Sequence, residues 1–215
     1  MNWFIEFNNS SIGRKIQVAA MGLLLCAYMV IHLFGNLFVY AGKGTFNHYA
    51  EVMESNPVLP AIEIALLGVF LCHISVALYS WILNRRARPQ GYQAWRSSGG
   101  QTLSGKAMTA SGLVLLTFLG VHVRVFRFAD RGDDLYGLET ATLASKPLAV
   151  FYLLALAALF PHLQHGFQSA FNTLGVNHPK LNSLIKPASS IFAAVIVTGF
   201  ASIVVYISFL QGGRP

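Results

Sequence analysis

Four apolar stretches of this chain each carry a histidine well inside the run, at His32, His73, His122 and His162, and His165 follows three positions after the last. An imidazole is costly to bury in hydrocarbon without a partner, so a histidine inside a membrane-length segment is a functional candidate. Neutral imidazole is also the commonest metal ligand in proteins. The residues therefore suggest metal coordination inside an apolar bundle.

The elements that must position these histidines are membrane-length segments. The 215-residue chain is 54% hydrophobic and only 11% charged, which is outside the range of soluble domains. Its apolar runs each reach the roughly 20 residues that a helix needs to cross about 30 Å of hydrocarbon. They lie approximately at 16–41, 58–83, 108–128, 147–171 and 187–210. We predict an all-α integral membrane bundle of five transmembrane helices, forming one domain over residues 1–215.

The charge distribution predicts an orientation. With the N-terminus inside, the inner segments carry nine Lys and Arg against one acid, and the outer segments carry six against seven. This contrast has the sign of the positive-inside rule, so we expect an N-in, C-out topology. Topology explains the net charge of +7 better than a nucleic-acid partner, because the basic residues are not interleaved with aromatics on a soluble face. The basic inner segment 85–105 either anchors the orientation or docks a soluble partner.

The depths of the four histidines sort into two levels. At 1.5 Å per residue, His32 and His122 lie about 15 and 12 Å from the outer ends of their spans, and His73 and His162 lie about 20 and 22 Å from them. Two imidazoles that face one another across a bundle are suitable axial ligands for an iron porphyrin. We expect two noncovalent b-type haems, an outer one on His32 and His122 and an inner one on His73 and His162. With both axial positions filled, the expected chemistry is electron transfer.

Two other interpretations of the histidines stay open. Four separately buried structural histidines would each need another hydrogen-bond partner. A metal site other than haem is less favoured, because no carboxylate or cysteine joins the histidines at either level. His165 would lie about 4.5 Å further in than His162 and would match His73 less well. We therefore prefer His162 as the ligand and expect His165 to contact a propionate or water.

Two glycines repeat the same spacing. Gly22 precedes His32 by ten residues, and Gly112 precedes His122 by ten. Each glycine therefore lies about 15 Å nearer the inner face than its histidine. A position without a side chain at that depth would admit a second flat ligand, although close helix packing also selects glycine.

The two cysteines, Cys26 and Cys72, stand alone inside predicted spans. The sequence has no CxxC, CxxCH or ferredoxin-like spacing. We expect neither iron–sulfur ligation nor covalent haem in this chain, and we interpret both thiols as small apolar packing residues.

The order of the spans resembles a known family. Five spans, with one histidine ligand candidate on each of the first four and none on the fifth, are similar to the single-chain dihaem cytochrome b anchor of succinate:quinone oxidoreductases, including quinol:fumarate reductases. The resemblance covers essentially the whole chain. Its most specific motif is on the fourth span, where His162 is followed by Gly166 and Gly175. Gly112 and His122 match the family's third-span pattern.

The resemblance implies partners and a reaction. A flavoprotein subunit and an iron–sulfur subunit would dock on the inner face of the cell's inner (cytoplasmic) membrane. Electrons would pass between them and a membrane quinone, which we expect to be menaquinone, through the inner (proximal) haem and the outer (distal) haem. This chain would hold no dicarboxylate site. Some relatives carry a glutamate two residues before the fourth-span ligand for transmembrane proton transfer, but this chain has Phe160 there.

Glu63 is the one carboxylate within a predicted span. It precedes His73 by ten residues, so it lies about 15 Å nearer the outer face, close to the depth of the outer haem. Our hypothesis makes it a proton donor or acceptor for an outer quinone. A glutamate that snorkels from a helix end is the alternative.

Two other functions are compatible with the sequence. One is a different dihaem membrane cytochrome, such as a transmembrane ferric or ascorbate reductase, or the cytochrome subunit of a hydrogenase or formate dehydrogenase. The other is a haem-free five-span transporter or scaffold. Copurification with flavin and iron–sulfur subunits would distinguish the succinate:quinone oxidoreductase anchor from the other cytochromes. A colourless purified protein would support the transporter or scaffold.

Overall fold

A computed structural model describes residues 2–87, 103–129 and 132–211. All the regular structure in these ranges is helical. The helices are α1 (Trp3–Asn9), α2 (Ser11–Asn36, continued by a 3-10 turn at Leu37–Ala41), α3 (Lys43–Glu54), α4 (Leu59–Arg86), α5 (Leu103–Phe126), α6 (Leu135–Ala144), α7 (Lys146–Thr173) and α8 (Pro179–Val205, continued by a π turn at Tyr206–Gln211).

Five of these helices are long and apolar enough to cross a membrane, as the sequence predicted. The segments are Ser11–Ala41, Leu59–Arg86, Ala107–Phe126, Lys146–Thr173 and Pro179–Phe209. Their outward faces carry large apolar side chains, such as Ile31, Ile64 and Leu154, which are 63–71% exposed without lipid. Such a surface indicates a multi-pass membrane protein.

Local sequence sets the ends of the helices. The Ser10 hydroxyl accepts a hydrogen bond from Gly13 N at 2.9 Å and caps α2. Prolines in the first turn open α4, α7 and α8. Gly42 and Gly175 have φ of +88° and +92°, a conformation that favours glycine, and they end the first span and α7.

Two long helices form the centre of the bundle. α2 packs along α4, α7 and α8, and α7 packs along α2, α5, α6 and α8. The buried core lies mainly between α2, α7 and α8, and includes Leu33, Leu156 and Ile196. At Gly199 of α8 an added Cβ would lie 2.7 Å from Leu33 Cδ2, so the glycine allows the fifth span to approach the first.

Two short helices, α3 and α6, occupy the connections between the first and second spans and between the third and fourth spans. They pack on each other on the same side of the bundle, and α6 also contacts α7 and the π turn. Lys43 of α3 forms an ion pair with Asp134 at 2.7 Å, and Asn47 Nδ2 donates to the same carboxylate at 2.9 Å. The two connections therefore form one cap, on the side that we call outer.

Candidate functional site

The outer histidines lie together. The ring centroids of His32 on α2 and His122 on α5 are 5.8 Å apart, with the ring planes at 87°. Two metal–imidazole bonds of about 2 Å, plus half a ring on each side, require a centroid separation of about 6 Å. The observed separation is close to that value, and it is also that of an edge-to-face ring contact.

Aromatic side chains surround this outer couple. Tyr28 stacks on His32 at 5.3 Å, and Phe200 of α8 lies 5.5 Å from the same ring. Phe118 stacks on His122 at 5.4 Å. Flat apolar side chains of this kind are suitable neighbours for a flat, largely apolar ligand.

The inner histidines are placed by the two glycines singled out in the sequence. A Cβ added to Gly22 would lie 3.3 Å from His73 Cε1, and one added to Gly112 would lie 3.5 Å from His162 Cε1. Each glycine on a helix with an outer histidine therefore faces an inner histidine. His73 and His162 also interact electrostatically with each other.

Both candidate couples join helices that lie across the bundle. The outer couple joins α2 to α5, and the inner couple joins α4 to α7. Neither is among the closely packed helix pairs in the part of the chain that the structure describes, where α2 packs on α4, α2 on α7 and α5 on α7. Side chains from facing, non-adjacent helices are the usual way in which a bundle core builds a cofactor site.

A hydrogen bond fixes the tautomer of one inner ring. His73 Nδ1 is 3.2 Å from the carbonyl of Val18, which can only accept, so Nδ1 carries the proton and the lone pair is on Nε2. His162 Nδ1 is 3.2 Å from Ser111 Oγ, a hydroxyl that can donate or accept, so this contact holds the ring without fixing its tautomer. His73 thus has its proton on Nδ1 and its lone pair on Nε2. This is the form of a metal-ligating histidine held by a second partner.

The outer rings have polar neighbours on the same nitrogen. His122 Nδ1 is 3.3 Å from the hydroxyl of Tyr152, which is 7% exposed. His32 Nδ1 is 3.4 Å from Asn36 Nδ2, which donates a shorter bond of 2.7 Å to the His32 carbonyl. The longer contact does not fix the tautomer of His32.

This arrangement meets two chemical requirements. Each of the four rings has a polar atom next to Nδ1, which also satisfies the requirement for separately buried structural histidines. The 5.8 Å approach of His32 to His122 goes beyond that requirement, because structural histidines need no such pairing. Among the described residues no group of three or more His, Cys, Asp or Glu side chains could hold a metal ion, so a couple is the largest ligand set there.

His165 is a half-buried neighbour of His162 and interacts with it electrostatically. His165 is not without a partner, because it makes a further interaction within the described residues. Its neighbour Gln164 donates to Ser190 of α8 at 2.8 Å, which turns this part of α7 toward the fifth span. His162 instead contacts α5 through Ser111 and Gly112.

Glu63 has a cationic partner. Arg127, just beyond the end of α5, forms two bonds of 3.0 Å with its carboxylate, one from Nε and one from Nη2. The two side chains are 38% and 63% exposed. Glu63 also interacts electrostatically with Tyr28, which stacks on His32. It thus lies near the outer couple, as its depth suggested, in an ion pair that the sequence did not reveal.

Three residues near the outer and inner couples were missed by the sequence analysis. Ser111 and Tyr152 contact histidines far away in sequence, so only helix rotation could have indicated them. Glu139 of α6 was counted as an outer surface charge, yet it is 5% exposed. Burial raises the pKa of Glu139 to about 7. The apolar residues around it, in LYGLETATLA, were an available signal.

The remaining candidates have ordinary surroundings. His48 is exposed and lies 3.8 Å from Glu51, and His178 accepts a bond from Lys180 N at the start of α8. Cys26 is buried and Cys72 is half-buried, both as free thiols. Most of the basic inner segment expected to anchor the orientation or to dock a partner, residues 88–102, lies outside the described residues.

No protein-family model, curated protein or solved structure matches this chain. The functional conclusion therefore depends on the site and on the sequence resemblance.

Proposed function

We propose that this chain is the dihaem cytochrome b membrane anchor of a succinate:quinone oxidoreductase. His32 and His122 would hold the outer b haem, and His73 and His162 would hold the inner one. When bound, the two haems would supply one-electron transfer across the bundle. The observation that carries the proposal is the 5.8 Å approach of His32 to His122 from two non-adjacent apolar helices.

The chain's own residues would orient and isolate the ligands. The Val18 carbonyl accepts from His73 Nδ1, and the Ser111 hydroxyl bonds to His162 Nδ1, so both inner rings are held through Nδ1. The aromatic side chains Tyr28, Phe118 and Phe200 cover the outer couple and exclude water. A dry, low-dielectric surrounding tunes a redox centre through its hydrogen bonds and burial.

The partners and orientation in the proposal come from the resemblance and the charge pattern. A flavoprotein and an iron–sulfur subunit would dock on the inner side, and the N-terminus would lie in the cytoplasm. Nine Lys and Arg residues in the inner segments, against six outside, support this orientation. Menaquinone is the proposed quinone, with Glu63 as its proton donor or acceptor at the outer side.

A pyridine haemochrome assay with a reduced-minus-oxidised spectrum tests the haem content. We expect two b haems per chain. His32→Ala or His122→Ala should remove one haem, and His73→Ala or His162→Ala the other. His48→Ala, at an exposed position, is the matched control and should keep both. A colourless wild-type chain would instead support a transporter or scaffold.

Two further outcomes test the details. If His165→Ala empties the inner site and His162→Ala does not, the ligand assignment on α7 is wrong. Purification from native membranes separates the family from other dihaem cytochromes. Copurifying flavin and iron–sulfur subunits with succinate:quinone activity would support the proposal, whereas a copurifying hydrogenase or formate dehydrogenase subunit would refute it.

A further inference from the structure

Glu139 is a buried carboxyl group that the proposed electron transfer does not use. It lies in α6, between the fourth span and α3, and is 5% exposed. A buried carboxylate without a cation is costly, so the neutral acid is favoured. Burial accordingly raises the pKa of Glu139 to about 7, where a small change in local charge alters its protonation.

The lysines on the helices packed against α6 are engaged elsewhere. Lys43 of α3 forms an ion pair with Asp134, and Lys146 of α7 donates to the carbonyl of Ser208. Neither neutralises Glu139, whose pKa is shifted by burial. The other titratable groups on the elements packed against α6, within the described ranges, are His48, Tyr49, Glu51 and Glu54 of α3, Tyr152, His162 and His165 of α7, and Tyr206 of the π turn.

Of these groups, Tyr152 interacts electrostatically with Glu139. The Tyr152 hydroxyl is 3.3 Å from His122 Nδ1, and the two ring centroids are 6.1 Å apart. Tyr152 and Glu139 are 7% and 5% exposed, so both lie in a surrounding of low dielectric constant. Glu139, Tyr152 and His122 thus connect the outer cap to the outer histidine couple.

We propose that Glu139 takes up one proton from the outer side for each electron that reaches the outer couple. The inference rests on the proposed function. It adds a residue and a coupling that neither the histidine arrangement nor the family resemblance assigns.

The step balances in charge and in atoms. The electron would come from the inner couple, and the haem that His32 and His122 would hold would supply the one-electron change at the outer couple. The proton comes from outer water and forms one O–H bond on the Glu139 carboxylate, giving the neutral acid. The physical cause is Coulombic, because an electron added at the outer couple disfavours a nearby buried carboxylate in a medium of low dielectric constant.

Redox titration of the purified complex at a series of pH values tests the coupling. The titration follows the outer haem, which is identified as the absorbance signal that is lost in His32→Ala. In the wild type its midpoint potential should fall with rising pH around neutrality, with a slope approaching about 59 mV per pH unit, the one-electron equivalent of a tenfold change in proton concentration. In Glu139→Gln the slope should be lost.

Glu51→Gln is the matched control. It removes a carboxylate on the same side of the bundle, but the Glu51 side chain is 78% exposed, so the slope should stay as in the wild type. An unchanged slope in Glu139→Gln would overturn the inference, and so would an equal loss of slope in Glu51→Gln.

A second variant covers the case in which Glu139→Gln loses the outer haem. Glu139→Asp keeps a titratable carboxyl on a side chain one methylene shorter, so the slope should persist with its midpoint moved along the pH axis. An unmoved midpoint would overturn the inference. The failures are distinguishable, because a wild type without haem refutes the proposed function, whereas two haems with a pH-independent outer potential refute only the role of Glu139.

Discussion

The contact between Ser111 and His162 gives the sharpest test of how the inner ring is held. Ser111 is 6% exposed, and its hydroxyl donates to Ala107 O and lies 3.2 Å from His162 Nδ1. Ser111→Ala removes a hydrogen-bonding partner of Nδ1 without adding bulk. The ring would keep its position beside Gly112 but lose a bond that restrains its rotation.

The expected effect follows from the loss of an orienting partner. Removing a second partner of a metal-ligating histidine typically lowers metal affinity by about 10- to 100-fold. That range corresponds to about 1.4–2.8 kcal/mol of binding free energy. Leaving a buried ring nitrogen without a hydrogen-bonding partner costs a similar amount, about 1–3 kcal/mol. We therefore expect inner-haem affinity to fall within this range, with outer-haem affinity unchanged.

The assay is a haem titration of the haem-depleted chain, followed in the visible spectrum. Thr117→Ala on the same helix is the control, because Thr117 Oγ1 donates to Leu113 O at 3.1 Å and serves no histidine. Equal inner-haem affinity in Ser111→Ala and the wild type would refute the reasoning. An equal loss of inner-haem affinity in Ser111→Ala and Thr117→Ala would mean that the substitutions disturb helix α5 and not the bond to His162.

Three other predictions follow from single positions. Glu63→Gln should keep both haems and lower quinone turnover by about 100-fold or more in a quinol oxidation assay, whereas unchanged turnover would exclude it as the proton-transferring group. Gly22→Ala places a Cβ 3.3 Å from His73 Cε1, so the ring must shift. Inner-haem affinity should fall about tenfold, while Gly68→Ala, with no atom within 4 Å of its Cβ, should leave it unchanged. The raised pKa of Glu139 should lower the free energy of unfolding as pH rises from 4.5 to about 7, because the unfolded chain releases this proton first. The loss should total about 3 kcal/mol and vanish in Glu139→Gln, as measured by denaturation in detergent at pH 5 and 8.

The five spans could be predicted because hydrocarbon imposes one rule on every residue within it. Length and apolar composition located each span, including the fourth, predicted at 147–171 and observed at Lys146–Thr173. The fifth began earlier than predicted, at Pro179, because Pro187 is accommodated inside the helix and does not open it. Polar helices such as α3 were missed, since a short helix outside the bilayer has no comparable compositional signal.

The site was predictable in depth but not in rotation. A rise of 1.5 Å per residue set the level of each histidine from sequence position alone. The polar partners could not be found in this way, because whether Tyr152 reaches His122 depends on how α7 is turned against α5. The sequence shows Glu139 only as one of the seven acids of the outer segments, and it is the packing of α6 that buries it.

The π turn gives the histidine-free fifth span a role in closing the outer end. Ser208 Oγ donates to Leu143 O at 2.7 Å, and Lys146 donates to the Ser208 carbonyl, so this turn fastens α6 to the start of α7. The turn follows every histidine-bearing helix in the chain. During synthesis from the N-terminus, all four ligand candidates would therefore be made before the contacts of the π turn with α6 and α7 can form. The histidine-bearing helices would therefore be synthesised first, and the contacts that close the outer end of the bundle would form last.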